Sequence, residues 1–551
     1  MFSWLFKKKN KGVGSNAGEA VKKELVVLMI LDGLGVHPDK LGNSVLQANT
    51  PFLDTAWTYG RSTLIHASGT HVGLPQDEPG NSEVGHLNLG AGQVVYQSLP
   101  RINDAIASGE MGENPVMKQM FEEVKRRGSK LHFMGILSAG GVHGHIEHLF
   151  HLIDLAKKNG ISPYIHAMTD GRDTGMTDGY FYASKLVQKM KETGTGKLAS
   201  IMGRFFGMDR DNRWERTQRA YNAMVGLGER TSKDVFSLLQ DAYKQNENDQ
   251  ILVPTTMVDE QGNPIGPISD NDVVLFFNFR EDRARQITKV FIKPDFDKFQ
   301  KANNPKNLYF VTMTGYSEDL DTKVVFPPKK VVDTLSAILS YNRLNQLHIS
   351  ETEKFMHVTY FFNGGIERPH AGEDFFNVPS PKVFDYSNTP QMSAEIIKDE
   401  VLYRLDNLHK KKYSFILINF ANPDMLGHTG NLDAAIKANE FVDKCAKEIA
   451  FKVLEKNGAL LMLADHGNCE TMIDRVTKKV DTAHTNNPVP FIVLSDIKEL
   501  TLADPKKLIK VGTGDRANVT GILADVAPTV LNILNVEPPQ SMTGIDILSV
   551  I

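Results

Sequence analysis

The feature that most constrains the fold is a set of continuous apolar runs, each leading into an acidic residue. The runs cover residues 25–31 before Asp32, residues 415–420 upstream of Asp424, and residues 459–464 before Asp465. Such runs do not alternate polar with apolar positions, which is typical of parallel strands buried on both faces. The sequence therefore predicts an α/β protein with a mainly parallel sheet.

The acids after these runs predict metal sites. Ligands of open α/β sheets gather beyond the carboxyl ends of the strands, so Asp32 and Asp465 should converge although most of the chain separates them. Asp424 and His428 are four residues apart and share one face if a helix begins there. His466 and His484 add imidazoles. Carboxylate and imidazole ligands without cysteine suit Mn, Zn or Mg-type ions, and the set allows two sites.

A candidate nucleophile lies in the segment GNSEVGH, residues 80–86, which contains Ser82. A serine in a glycine-flanked turn is a weak signal by itself. Its hydroxyl is a poor nucleophile near neutral pH and needs a base or a metal ion to lower its pKa. Combined with the acids and histidines, Ser82 predicts a nucleophile beside a metal centre.

The middle of the chain has its own apolar runs, at residues 131–137, 163–168, 198–202, 273–277 and 308–313. Strands that alternate with helical stretches imply a second, mostly parallel sheet. Paired prolines at 327 and 328 stop regular structure and mark the return to the first domain. We expect an amino-terminal extension (1–23), an outer domain (24–96 and 329–551) and an inserted domain (97–328).

Five arginines of the middle region predict an anion site. They lie in Gly- and Asp-rich segments that follow strands: Arg172, Arg204, Arg210, Arg280 and Arg283. A run of charges is usually a solvated face, but these residues are dispersed and each follows a strand. Guanidinium groups grip phosphate and carboxylate oxygens by two-point contacts.

Further motifs carry a family resemblance. They include LDG at 31–33, GGVHGH at 140–145, DGRDT at 170–174, GRFFGMDRDNRW at 203–214, FFNFREDRARQ at 276–286, TEKFMHVTYFFNGG at 352–365, NPDMLGHTG at 422–430, ADHGN at 464–468 and AHTNNPVP at 483–490. With GNSEVGH they make residues 24 to 551 resemble the cofactor-independent, metal-dependent phosphoglycerate mutases, a branch of the alkaline phosphatase superfamily. The resemblance implies an alkaline-phosphatase-like metal domain with a second α/β domain inserted in it.

The resemblance also implies residue roles. One metal would be held by Asp32, Ser82, Asp465 and His466, and the other by Asp424, His428 and His484. Mn²⁺ is the first expectation, with Mg²⁺, Co²⁺ or Zn²⁺ as alternatives, and no bisphosphoglycerate is needed. Ser82 would carry the phosphoryl group during the interconversion of 3-phosphoglycerate and 2-phosphoglycerate in glycolysis and gluconeogenesis. Asp173 would transfer protons to and from the glycerate hydroxyls, and His143 would also have a catalytic role. The substrate-binding residues would be His143, Arg172, Asp173, Arg204, Arg210, Arg280, Arg283 and Lys354.

Three alternative functions differ from the mutase in identifiable features. A metal-dependent phosphohydrolase of the same superfamily shares the nucleophile and metals, but lets water resolve the phosphoserine. The inserted domain with its arginines favours the mutase. A phosphopentomutase does not share the FNFRxDR and GRDT motifs, and a catalytically dead binding protein would lack a ligand or the nucleophile.

Two departures from the family pattern are Ala139, where the family usually has Asp, and Gly144, where it usually has Ser; altered support of His143 is expected there.

The chain has 551 residues, a formal charge of -4 and two cysteines, Cys445 and Cys469. That charge gives no general attraction for nucleic acid, and the few cysteines fit a reducing cytoplasm. No apolar segment predicts stable membrane insertion. The extension MFSWLFKKKNKG is expected to be a disordered tail, with weak, reversible surface adhesion through Phe2, Trp4 and Phe6 as the alternative. The sequence does not separate a monomer from a dimer; a monomer is expected.

Overall fold

In the computed structural model of this chain, the described residues are 21–328, 331–501, 503–513 and 519–551. They form two compact units, which divide between Val95 and Tyr96 and again after residue 328. The first unit contains residues up to 95 and from 331 onward, and the second contains residues 96–328. Most of the predicted amino-terminal extension, residues 1–20, lies outside the described part of the chain.

The strands are, in chain order, β1 (Val26–Leu31), β2 (Arg61–His66), β3 (Leu131–Leu137), β4 (Tyr164–Thr169), β5 (Lys197–Gly203), β6 (Arg230–Ser232), β7 (Thr255–Met257), β8 (Val273–Phe276), β9 (Tyr309–Thr314), β10 (Lys323–Phe326), β11 (Asn345–Glu351), β12 (Glu373–Val378), β13 (Tyr413–Phe420), β14 (Ala459–Leu463), β15 (Val489–Leu494) and β16 (Val519–Ile522).

The α-helices are α1 (Ser44–Gln47), α2 (Pro51–Tyr59), α3 (Ser82–Ala91), α4 (Ser98–Ala107), α5 (Glu110–Glu113), α6 (Pro115–Arg127), α7 (Ile146–Lys158), α8 (Gly179–Thr193), α9 (Arg204–Gly207), α10 (Trp214–Met224), α11 (Val235–Lys244), α12 (Arg285–Ile292), α13 (Leu335–Tyr341), α14 (Ala394–Asp406), α15 (Asn422–Thr429), α16 (Leu432–Glu455), α17 (Lys498–Thr501) and α18 (Val526–Ile533). A 3-10 turn at Thr352–Lys354 and a π-helical turn at His357–Phe361 follow β11.

The sheet of the first unit has the strand order β12-β11-β13-β1-β14-β15-β2-β16. β1 pairs in parallel with β13 and β14, which places Ile30 opposite both Asn419 and Leu463. Every residue of β1, β13 and β14 is buried, because helices cover both faces of a parallel sheet. The carboxyl ends of these three strands therefore meet at one edge of the sheet.

One strand of this sheet departs from the predicted parallel arrangement. β15 runs antiparallel to β14 and to β2. The described residues between β14 and β15 contain no helix. A crossover to a parallel neighbour is usually helical, whereas an antiparallel return needs none.

The sheet of the second unit has the order β10-β9-β8-β3-β4-β5-β7-β6, and its pairs are parallel except for β5 with β7. Alternation along the central strand β3 directs Phe133 into one apolar core and Met134 into another. Both faces of this sheet are thus covered, as in the first unit.

The structure confirms the predicted fold class, because both sheets are dominated by parallel pairing and are layered with helices. None of the helices in the described residues combines the length and apolar character that crossing a bilayer requires.

Candidate active site

Ser82 occupies the first position of α3. The preceding residue, Asn81, caps the helix by accepting a hydrogen bond from the amide of Val84. The Ser82 hydroxyl oxygen lies 2.9 Å from Nε2 of His466 and 2.7 Å from Nζ of Lys354. The free amides and dipole at a helix N-terminus favour a negative charge there. Ser82 is therefore placed where an oxyanion or a phosphoryl group is stabilised.

Glycines let α3 approach its neighbours at backbone distance. A Cβ at Gly85 would lie 2.8 Å from the carbonyl oxygen of Asp465, and one at Gly90 would lie 1.9 Å from that of Phe362. Both distances are shorter than any side chain tolerates. Close packing at Gly85 brings Ser82 against the segment that follows β14.

The inner cluster, defined as Asp32, Asp465 and His466, lies at the carboxyl edge of the first sheet. Its members are fully buried, and one potential ligand atom of each lies within 4.8 Å of the others. Nε2 of His466 is 3.5 Å from Oδ1 of Asp32 and 3.7 Å from Oδ2 of Asp465. The Ser82 hydroxyl adds a fourth oxygen, 3.3 Å from Oδ1 of Asp32. The parallel register of β1 and β14 brings these distant residues together.

The outer cluster is defined as Asp424, His428 and His484. Asp424 and His428 lie four residues apart on α15, as the spacing predicted. Nε2 of His428 and Nε2 of His484 each lie 3.3 Å from Oδ1 of Asp424 and 3.0 Å from each other. Their Nδ1 atoms bond the carbonyls of Thr482 and Gly80, at 2.8 Å each.

Both clusters fit a divalent metal ion. Two ligands about 2.1 Å from a tetrahedral ion are separated by roughly 3.4 Å, and the distances within the clusters lie close to that value. In the outer cluster, Nδ1–H groups that donate to carbonyls leave both Nε2 lone pairs directed at one carboxylate oxygen. Two facing lone pairs repel unless a cation or proton lies between them. Hydrogen bonds of this kind orient histidine ligands in metal sites.

The charge balance of the two clusters also favours cations. Nζ of Lys354 lies 2.6 Å from Oδ1 of Asp32 and 2.6 Å from Oδ2 of Asp424. Burial raises the pKa of Asp32, and the nearby Asp465 carboxylate raises it further. Burial opposes ionisation of Asp424 too, but the Lys354 ammonium holds its pKa well below the usual range. One ammonium thus faces three buried carboxylates, which leaves an excess of negative charge.

Two further side chains of this site have no role in the sequence prediction. Nδ1 of His86 lies 2.9 Å from the Ser82 carbonyl and 3.1 Å from Oδ2 of Asp465. The Asn419 amide donates to Oδ2 of Asp32 at 2.7 Å and lies 3.1 Å from Nε2 of His86. His86 lies one helical turn after Ser82, and this spacing could have predicted that the two side chains are neighbours. Asn419 lies inside an apolar run, and nothing in the sequence predicted its role in the site.

The second unit contains the predicted arginines. Nη1 of Arg204 donates to Oδ1 of Asp170 and Oδ2 of Asp173, both at 2.6 Å. Oδ1 of Asp170 also accepts the amides of Arg172 and Asp173. Asp170, which the sequence analysis did not select, therefore fixes the loop that carries two predicted substrate residues.

Asp282 pairs with two of the remaining guanidinium groups. It accepts from Nη1 of Arg210 at 2.6 Å, and Nε of Arg280 lies 3.1 Å away. Arg283 donates to the Met208 carbonyl at 3.1 Å. Burial lowers the pKa of Arg283, and the nearby positive charges of Arg204, Arg210 and Arg172 lower it further. The structure thus gathers Arg172, Arg204, Arg210, Arg280 and Arg283 into one guanidinium cluster, whereas Lys354 belongs to the first unit.

His143 is buried beside the guanidinium cluster. Among the described residues its Nδ1 has no hydrogen-bond partner, and it lies 3.8 Å from Oδ1 of Asp282. Burial, with Arg204 nearby, lowers the pKa of His143 to about 4, so the ring is neutral near pH 7. Gly144, which follows His143, is one of the two positions that depart from the family pattern. A Cβ on Gly144 would lie 2.8 Å from the Ile136 side chain. Glycine therefore allows this loop to pack closely on β3.

Sequence comparisons place the chain in a family. The family model described as the BPG-independent PGAM N-terminus matches residues 102–318. A 2,3-bisphosphoglycerate-independent phosphoglycerate mutase of Clostridium perfringens is 46% identical over 532 residues, which cover 96% of this chain and 100% of that protein. The chain belongs to the 2,3-bisphosphoglycerate-independent phosphoglycerate mutase family. This confirms both the predicted family and the predicted class of enzyme, an isomerase.

Comparisons with other phosphoglycerate mutases support the same family. The mutase of Clostridium beijerinckii is 47% identical over 95% of this chain and 99% of that protein. The mutase of Methanococcoides burtonii is 44% identical over 96% of this chain and 99% of that protein. The crystal structure of Leishmania mexicana phosphoglycerate mutase at low cobalt concentration is 32% identical, with a TM-score of 0.56, and covers 96% of this chain and 98% of that one.

Proposed function

We propose that this chain interconverts 3-phosphoglycerate and 2-phosphoglycerate through a phosphoserine on Ser82, with two bound divalent metal ions. The observation that carries the proposal is the surroundings of the Ser82 hydroxyl. At the N-terminus of α3 it contacts an ammonium, Lys354, and an imidazole, His466. An oxygen in such surroundings is suited to accept a phosphoryl group and to release it again.

The two clusters would hold the metals. The inner cluster with Ser82 offers four ligands and the outer cluster offers three. When bound, the ions would lower the pKa of the Ser82 hydroxyl and neutralise charge on the phosphoryl oxygens. Oxygen and imidazole ligands without thiolate suit Mn²⁺, our first choice, as well as Mg²⁺, Co²⁺ and Zn²⁺.

In the first half-reaction, the Ser82 oxygen attacks the phosphorus of 3-phosphoglycerate. The bond from phosphorus to Ser82 forms, the bond to the glycerate oxygen breaks, and the departing glycerate oxygen takes up one proton in place of the one that the Ser82 hydroxyl gives up. The Lys354 ammonium and the amides at the start of α3 stabilise negative charge on the phosphoryl group.

In the second half-reaction, the other glycerate hydroxyl attacks the phosphoserine. We assign retention of glycerate to the guanidinium cluster, whose forked donors bind its carboxylate. Asp173, held by Arg204, accepts the proton of the attacking hydroxyl. The departing Ser82 oxygen takes up one proton and Asp173 gives one up, which restores the starting state. His143 is neutral and therefore contacts the phosphoryl group by a hydrogen bond rather than as a cation.

The competing function is a metal-dependent phosphohydrolase, in which water attacks the same phosphoserine. It needs no groups that retain the alcohol, so the guanidinium cluster of the second unit supports the mutase instead.

Isotope crossover separates the two functions. We would mix unlabelled 3-phosphoglycerate with substrate labelled in both carbon and phosphate oxygen. If the same glycerate is retained, both labels stay together in 2-phosphoglycerate, no bisphosphoglycerate primer is required, and little phosphate is released. Scrambled labels, a primer requirement, or phosphate as the main product would overturn the proposed function.

A further inference from the structure

We propose that Glu470 is a positioning residue that holds the ligand-bearing segments of both clusters in one arrangement. The inference rests on the proposed function, since it concerns the residues that would bind the two metals. Glu470 is buried, with 1% of its surface exposed. It lies in the segment after β14, four residues beyond His466.

Both carboxylate oxygens of Glu470 are used by donors from separate parts of the chain. Oε2 accepts the amide of Gly35 at 3.2 Å and the amide of Asn468 at 2.8 Å. Oε1 accepts the hydroxyl of Thr485 and, at 2.8 Å, the side-chain amide of Asn487. One side chain therefore ties together the loop after β1, the segment after β14 and the segment before β15.

These three segments carry ligands of both clusters. Gly35 follows Asp32 by three residues, Asn468 follows Asp465 and His466, and Thr485 follows His484 directly. The Asn468 side chain, in turn, donates to Oδ1 of Asp424 at 2.9 Å. Through its donors, Glu470 thus acts on residues of the inner and of the outer cluster.

The backbone at two glycines packs tightly against the Glu470 side chain. A Cβ on Gly35 would lie 2.3 Å from Cδ of Glu470, and a Cβ on Gly467 would lie 2.6 Å from its Oε1. Both backbones therefore close directly on the carboxylate. This contact fixes the segments at the points where the metal ligands leave them.

Glutamine cannot replace these bonds. Four N–H or O–H donors face the carboxylate, whereas an amide offers one acceptor oxygen and turns a second donor group toward them. Glu470→Gln keeps the volume but leaves either the Gly35 and Asn468 side or the Thr485 and Asn487 side unpaired. The segments on the unpaired side lose their fixed positions, and because one side chain ties both sides together, its displacement carries the change to the other cluster.

The test is calorimetric titration of the metal-free full chain with Mn²⁺, with stoichiometry from elemental analysis. We expect wild type to bind two equivalents and Glu470→Gln to bind both about 10–100-fold more weakly, as is usual when outer partners of metal ligands are removed. The turnover number of the variant should recover at saturating Mn²⁺, which a damaged fold would not show. Asp443→Asn is the matched control: this buried carboxylate caps α2 through the amides of Phe52 and Leu53. It should leave both Mn²⁺ affinities within about twofold of wild type.

Unchanged Mn²⁺ affinities in Glu470→Gln, or weakening at one cluster alone, would refute the positioning role and leave the proposed function intact. Absence of binding by wild type would instead refute the proposed metals and the positioning role together. If Glu470→Gln does not fold, Thr485→Val removes one donor and keeps the carboxylate. It should weaken Mn²⁺ binding at the outer cluster, and unchanged binding would refute the proposal equally.

Discussion

The ammonium nitrogen of Lys354 lies 2.7 Å from the hydroxyl oxygen of Ser82 while also bonding Asp32 and Asp424. A single buried cation therefore connects the candidate nucleophile to one carboxylate of each cluster. Despite burial, the carboxylates raise the pKa of Lys354 above its usual range, so it stays charged.

Lys354→Met should destabilise the metal-free protein. Removing one partner from buried charges costs about 3–5 kcal/mol, because the remaining carboxylates lose their compensation. Urea unfolding in the presence of a chelator measures the loss, and added Mn²⁺ should restore part of it. Lys412→Met, which removes an exposed pair with Glu24, is the control and should have almost no effect. A similar result for both variants would contradict this account of Lys354.

Ser82→Ala should fold and lose mutase turnover by orders of magnitude, because no acceptor for the phosphoryl group remains. Rapid acid quenching with labelled substrate should trap phosphoserine in wild type and none in the variant. Ser62→Ala is the control. It removes a hydroxyl on β2 that donates to the Trp57 carbonyl of α2, and it should behave as wild type. Near-normal turnover in Ser82→Ala would rule out the serine relay.

Chelation should abolish turnover, and Mn²⁺ should restore it. Each bound metal ion should also stabilise the fold, by about 2.7 kcal/mol at a free concentration 100 times its dissociation constant. Thermal unfolding with and without chelator measures this shift. Full activity after exhaustive chelation would argue against both metal sites.

Arg283→Ala should raise the fraction of turnovers that release inorganic phosphate, since one of the groups assigned to glycerate retention is lost. The ratio of phosphate to 2-phosphoglycerate, measured under initial-rate conditions, reports the effect. Arg126→Ala, at an exposed ion pair with Glu123 on α6, is the control and should leave the ratio unchanged. An unaltered ratio in Arg283→Ala would remove that residue from the proposed site.

Glu351, the last residue of β11, should make stability fall as pH rises. It is fully buried, its Oε2 has no hydrogen-bond partner in the described part of the chain, and burial raises its pKa to about 7. Because the folded state holds this proton more tightly than the unfolded state, the stabilisation is present in acid. It is lost as pH rises from about 4.5 through 7, by up to roughly 3 kcal/mol. Glu351→Gln should lack this loss, and the difference between the two unfolding curves from pH 5 to 8 measures it. Parallel curves would contradict the raised pKa.

The fold class and the main strands were predictable because apolar runs record burial on both faces. The run before Asp32 corresponds to β1, and the run before Asp465 corresponds to β14. Parallel pairing then brings both acids to one edge, and that step needs no side-chain detail. The reversed direction of β15 was not predictable, because strand pattern does not encode direction.

The supporting polar residues of the site could not be predicted in the same way. Asn419 points from a buried strand toward Asp32, and Asp170 collects amides from its own loop. Their roles depend on which donors the tertiary fold brings within bonding distance. Acids in loops are common, and nothing in the local sequence separates Glu470 from an ordinary capping residue.

The two glycines of α3 limit how this enzyme can be engineered for heat resistance. Replacing helix glycines by alanine is a standard stabilising change, worth about 1 kcal/mol at an exposed position. At Gly85 and Gly90 the added methyl would strike the backbone of Asp465 or Phe362 and push the helix outward. Ser82 begins this helix, so the displacement would reach the reacting oxygen. Stabilising glycine-to-alanine changes must therefore be sought in other helices. In α3 the two glycines lower the intrinsic helix propensity, and the position of the reacting oxygen depends on keeping them.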